Sequence, residues 1–158
     1  MKEIWAPWRV EYFTKKQKGC FLCKAFRSRK DRENHVLKRG KTCAIIINRY
    51  PYTGGHLMVA PYRHVASLEH MNPREHAEMM KLTIEATAAL RKSIHPHGFN
   101  IGINIGAAAG AGLKDHVHMH IVPRWTGDTN FITVMADVRI VPQSLLDLWD
   151  QLRKVIKR

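Results

Sequence analysis

A chain of 158 residues is long enough for one well-buried core and short for two, so a single domain over residues 1–158 is expected. Hydrophobic residues make up 45% and charged residues 25%, which fits a globular protein; no apolar run reaches membrane-span length. Met1-Lys2-Glu3-Ile4-Trp5 lacks a signal-peptide layout, so a cytoplasmic protein with no membrane partner is the expectation. The formal charge of +13 points to anionic partners, either nucleic acid or a small polyphosphate. Its basic residues are scattered over Lys15–Lys41 and Arg153–Arg158 and form no single recognition motif, which disfavours nucleic acid.

Along the chain, Trp5-Ala6-Pro7-Trp8-Arg9 reads as a segment packed across the body, and Phe21 to Arg32 as a short basic helix or loop. Thr42 to Ile47 is apolar and β-branched, a strand that stops at the loop chemistry of Asn48-Arg49-Tyr50-Pro51-Tyr52-Thr53-Gly54-Gly55. His56 to Pro61 is the returning strand of a hairpin. Asn72-Pro73 is a helix start, and apolar residues at Ala77, Met80, Ile84, Ala88 and Leu90 carry helical spacing to about His95. Phe99 to Ile105 alternates as a strand, and the small residues of Gly106 to Gly112 form a loop that lets backbone approach a ligand. After the turn Thr126-Gly127-Asp128, Phe131 to Ile140 reads as one or two short strands, and Pro142 to Val155 as a closing amphipathic helix.

Two patterns carry chemistry. In His116-Val117-His118-Met119-His120-Ile121 three imidazoles alternate with apolar residues, so on a strand they share one face, and three side by side call for a ligand, a metal or a proton relay. Cys20-Phe21-Leu22-Cys23 is half of a metal-site pattern or a redox dithiol; an odd total of three cysteines argues against a disulfide framework.

The alternating histidines resemble the motif of the histidine-triad (HIT) family of nucleotide hydrolases and transferases. The resemblance extends over Asn48-Arg49-Tyr50-Pro51, Gly55-His56-Leu57-Met58-Val59, Pro61-Tyr62-Arg63-His64 and Asn104-Ile105-Gly106, from about Cys20 to Trp125. The flanks, Trp5 to Arg9 and Arg124 to Phe131, are similar to the bacterial branch that contains diadenosine tetraphosphate phosphorylases. It implies an α+β fold, an antiparallel sheet of about five strands with a long helix packed on it and a C-terminal helix. The family region is then 19–125, with an N-terminal segment 1–18 and a C-terminal extension 126–158, in a homodimer or higher homo-oligomer.

The resemblance also assigns roles. His118 is the nucleophile that forms a nucleotidyl-histidine intermediate. His56 and His120 surround the phosphates, and Asn48, Asn104, Gly106 and Gly112 contact the nucleotide. Cys20, Cys23, His64 and His116 match the ligands of a structural zinc in zinc-containing relatives; alternatively His116 serves only a hydrogen-bond relay and the thiols are free. No organic cofactor is expected.

A neutral imidazole is nucleophilic near pH 7 and can displace a phosphate leaving group without a separate base, while donors such as Asn104 stabilise the charge. Where relatives that use water carry Gln then Ser or Thr, this chain has Gly110-Ala111-Gly112-Leu113-Lys114-Asp115, which opens space for an anionic acceptor. Phosphorolysis of diadenosine tetraphosphate to ADP and ATP is therefore the expected reaction. The alternatives are hydrolysis of adenosine phosphoramidates or dinucleoside polyphosphates, and a zinc-stabilised binding module without catalysis.

Overall fold

The computed structural model describes residues 19–128 and 143–156. Trp5–Arg9, the strands expected over Phe131–Ile140, and Pro142 lie outside them. The described elements are α1 (Phe21–Arg27), β1 (Val36–Arg39), β2 (Cys43–Ile47), β3 (Leu57–Pro61), α2 (Pro73–Ile94), β4 (Gly98–Ile103), β5 (Met119–Arg124) and α3 (Leu145–Arg153). The strands form one antiparallel sheet of five, in the order β1-β2-β3-β5-β4. No helix among the described residues is long and apolar enough to cross a membrane.

Strand alternation gives the sheet two apolar faces. One face presents Ile45, Ile47, Leu57, Val59 and Ile121 to α2 and α3, and forms the larger core. The other presents Ala44, Ile46, Met58 and Ala60, which α1 covers with Leu22, Ala25 and Phe26. Among the described residues α1 covers only part of that second face and leaves the β5–β4 part open. His120 pairs there with Gly102 across the ladder, and a methyl group added at Gly102 would meet nothing within 4 Å.

The long helix starts where Asn72-Pro73 places it. The Asn72 side chain accepts from the Glu75 amide (3.0 Å) while the Glu75 carboxylate accepts from the Asn72 amide (2.9 Å), a reciprocal cap. The face expected to pack inward is corrected: Ala77, Met80, Ile84 and Ala88 are exposed, and of the expected stripe only Leu90 is buried. The buried face runs through Met79, Leu82, Thr83, Ala86, Ala89 and Leu90. Apolar residues flank both sides of this helix, so the spacing fits two registers, and packing on the sheet selects the one carrying Leu82 and Ala86.

The strand β1 has no counterpart in the sequence reading. Its carbonyls are held by α3, with Trp149 Nε1 donating to Val36 O (2.9 Å) and Arg153 Nη1 to Leu37 O (3.0 Å). Antiparallel pairing with β2 makes it a strand, and these contacts from more than a hundred residues away hold its outer carbonyls; its own pattern gives little signal.

Candidate active site and metal centre

The histidine segment differs from a continuous strand in one respect: regular pairing begins at Met119, so His116 and His118 precede β5. The cause lies opposite, at Pro61, whose nitrogen carries no hydrogen to continue the ladder. The Val117 amide donates instead to Val65 O (2.7 Å), and His116 Nε2 donates to Pro61 O (2.8 Å). Alternation nevertheless persists, since Val117, Met119 and Ile121 all pack into the α2 core.

His116, His118 and His120 are all buried, as are His56 and Asn48. Their hydrogen bonds fix the tautomers. A carbonyl only accepts, so His118 Nδ1, 2.8 Å from His116 O, carries the proton, and Nε2 keeps its lone pair. The Tyr52 amide donates to His56 Nδ1 (3.1 Å), so His56 Nε2 carries a proton and donates it to His120 Nδ1 (2.9 Å). His120 therefore presents Nε2–H as a donor. The rings of His118 and His120 meet edge to face with centroids 4.7 Å apart, so a ring with a lone pair on Nε2 lies next to a ring with a proton on Nε2.

Burial pushes both pKa values down. For His118 it outweighs the bond to the His116 carbonyl, which acts in the opposite sense. For His120 burial, reinforced by the neighbouring His118, brings the value to about 4. Both rings are neutral at pH 7.

Asn48 stands in the buried network, not at its mouth. Its Oδ1 accepts from the Tyr50 amide (2.9 Å) and its Nδ2 donates to His56 Nδ1 (3.3 Å), so the side chain ties the β2–β3 loop to His56. Asn104 is half-buried just beyond β4; extending the Ile103–Met119 register by one residue puts it across from His118. Gly106 and Gly112 are exposed in the loop before the triad, and Gly106 takes a φ of +81° that favours glycine. Tyr52 was not singled out from the sequence. Its ring stacks on His120 (centroids 5.7 Å, 28°) and tilts over His56 (4.6 Å, 42°).

The four residues expected as metal ligands come together. The ligand atoms of Cys20, Cys23, His64 and His116 all lie within 4.8 Å of one another. Cys20 Sγ is 3.2 Å from His116 Nδ1, and Cys23 Sγ is 3.4 Å from His64 Nδ1 and 3.6 Å from His116 Nδ1. Tetrahedral zinc with typical sulfur and nitrogen bond lengths has ligand–ligand edges of about 3.5 Å, so the spacing fits. His116 is also in the right tautomer: Nε2–H is held by Pro61 O, which turns the Nδ1 lone pair towards the sulfurs. The ligands come from separate elements, the start of α1, the turn after β3 and the segment before β5. The His64 turn is braced by its neighbour Arg63, whose guanidinium donates to the buried Glu75 carboxylate at 2.7 and 2.6 Å.

The HIT domain profile matches residues 29–127. This chain belongs to the HIT domain family. It is 39% identical over 156 residues to the AP-4-A phosphorylase of Mycobacterium tuberculosis, an alignment covering 93% of this chain and 80% of that protein. Among solved structures, a hypothetical histidine triad nucleotide-binding protein from Sulfolobus tokodaii superposes with a TM-score of 0.69 at 25% identity, covering 87% of this chain and 91% of the other. A zinc-bound histidine triad family protein from Mycobacterium smegmatis superposes with a TM-score of 0.63 at 30% identity, covering 77% and 82%. The expected HIT fold is thus the fold observed.

Proposed function

We propose that this HIT protein transfers a nucleotidyl group from a diadenosine polyphosphate to inorganic phosphate. The observation that carries the reading is the bond from His118 Nδ1 to the His116 carbonyl, which leaves Nε2 as the unprotonated nitrogen of a buried imidazole. Similarity to an AP-4-A phosphorylase over 93% of the chain supports the substrate class and acceptor.

In the proposed reaction, His118 Nε2 attacks the α-phosphorus, a P–N bond forms and the P–O bond to the departing nucleoside triphosphate breaks. The proton on Nδ1 stays with the His116 carbonyl and disperses the positive charge on the ring. His120 Nε2–H, backed by His56, donates to a phosphoryl oxygen, and Asn104 adds a donor opposite. Phosphate then attacks the same phosphorus and the P–N bond breaks, giving ADP and regenerating neutral His118. Gly106 and Gly112 admit the phosphates close to backbone, and Asn48 acts on the nucleotide through its hold on His56.

Zinc is the metal that the Cys20–Cys23–His64–His116 donor set suits, two thiolates and two imidazoles in a closed site. It would supply cross-linking of α1 to the catalytic segment and no chemistry of its own. We also propose a homodimer. Met80 and Ile84 are 53% and 62% exposed on α2, and Ile101, on the same side of the sheet, is 48% exposed on β4, which has no strand on its outer side among the described residues. A second copy placed on a two-fold axis covers the helix stripe and the strand edge together.

Incubation with diadenosine tetraphosphate with and without phosphate tests the reaction. Phosphate-dependent formation of ADP and ATP is expected; AMP and ATP at a rate indifferent to phosphate would show water to be the acceptor, and binding without turnover would remove the enzymatic reading.

A further inference from the structure

The catalytic reading leaves Tyr52 without a task, although this residue is 38% exposed while the two it touches, His56 and His120, are 0% and 8% exposed. This aromatic therefore stands between a buried hydrogen-bonded pair and solvent. It engages the pair twice. Its backbone amide donates to His56 Nδ1 (3.1 Å) and so determines which His56 nitrogen carries the proton, and its ring stacks on His120 at 28° while tilting over His56 at 42°. His120 consequently has the phenol ring stacked against it and the His118 ring edge-on at 4.7 Å, so its freedom to rotate about its own side-chain bonds is restricted by both.

We infer that Tyr52 is a positioning residue for nucleotidyl transfer: its ring walls off the His56–His120 pair and holds the His120 Nε2–H in line with the phosphoryl group attacked by His118. The inference rests on the proposed reaction for its kinetic consequence and on the observed ring contacts for its structural one. Exposed aromatics beside a nucleotide site also serve as stacking platforms for a base, and the two roles make different predictions. A base platform acts on substrate binding; a wall acts on the step in which charge develops.

The test compares Tyr52→Phe and Tyr52→Leu with the unaltered protein, all metal-loaded and checked by thermal unfolding. Kinetics with diadenosine tetraphosphate and phosphate are measured alongside the side-chain 15N–1H correlations of the histidines. Phenylalanine preserves the ring and is expected to restore kcat to within about twofold, whereas leucine is expected to lower kcat by roughly tenfold with KM little changed. In the leucine variant the His120 nitrogens should also move from distinct protonated and unprotonated shifts towards averaged ones, while His56, whose Nδ1 still accepts from the residue-52 amide, keeps its own. Unchanged kcat and unchanged nitrogen shifts in Tyr52→Leu would overturn the inference, as would a rise in KM alone, which is the signature of a base platform. If the unaltered protein does not turn over the dinucleotide, the proposed reaction fails while the nitrogen spectra still decide whether Tyr52 holds the pair.

Discussion

Glu78 offers a quantitative test of the frame that carries the site. From α2 its carboxylate reaches the turn between β1 and β2, accepting from the amides of Lys41 (2.8 Å), Thr42 and Cys43 (3.0 Å) and from the Thr42 hydroxyl (2.6 Å). Burial pushes its pKa up, but the Thr42 hydroxyl and the three amides together outweigh it and hold the value at about 2. A fall from the usual 4.5 to about 2 corresponds to about 3 kcal/mol at most, and because water reaches part of the carboxylate, screening reduces the expected contribution to about 1–2 kcal/mol. The folded-state value is depressed, so this stability is complete above the unfolded carboxyl's pKa and disappears as the pH falls from about 5 towards 2. Glu78→Gln removes the charge and turns an amide NH2 towards donors. Urea unfolding of both proteins should therefore differ by about 1–2 kcal/mol at pH 7, with the gap shrinking by pH 3. A difference below about 0.5 kcal/mol at pH 7, or one that does not change with pH, would refute the reasoning.

Four further outcomes follow from the geometry. His118→Ala should abolish turnover, by about four orders of magnitude or more, while leaving the thermal unfolding temperature near that of the unaltered chain; appreciable residual activity would displace His118 as nucleophile. Cys23→Ser should reduce bound metal, measured by elemental analysis, and lower Tm by more than about 5 °C, and less than half an equivalent of zinc in the unaltered protein would remove zinc from the account. Ile84→Glu should shift the mass measured by light scattering from dimer to monomer, and an unaltered chain that is already monomeric would exclude the proposed interface. Gly55→Ala should cost about 1–3 kcal/mol in urea unfolding, since φ is +83° and the added methyl carbon would sit 2.5 Å from Ile94 Cδ1 and 3.0 Å from Pro123 Cγ.

The sequence was most legible where chemistry and periodicity coincide. His118 and His120 alternate with Val117, Met119 and Ile121, whose packing requires the same face, and the observed contacts follow that pattern. The capped start of α2 was equally plain in Asn72-Pro73 because capping is a local interaction. Its buried face was not, because Met80 and Ile84 are as apolar as Met79 and Leu82, and only the sheet distinguishes them. β1 was illegible for a related reason: two apolar residues followed by Lys38 and Arg39 carry little strand signal until β2 pairs with them and α3 bonds their outer carbonyls. Tyr52 and Glu78 escaped notice because a ring contact to a distant imidazole and a carboxylate that caps a remote turn leave no periodic trace. The candidate metal ligands were reached through family resemblance, since Cys20 and His116 are 96 residues apart and no local pattern connects them.

His116 joins the proposed metal centre to the proposed nucleophile, yet it does so with different parts of itself: the imidazole faces the sulfurs, and the main-chain oxygen holds the His118 proton. Every amino acid supplies that oxygen. Mutation can therefore erode the metal site one side chain at a time without deleting the atom that keeps His118 in its reactive tautomer, so durability and reactivity can drift independently in descendants of this chain.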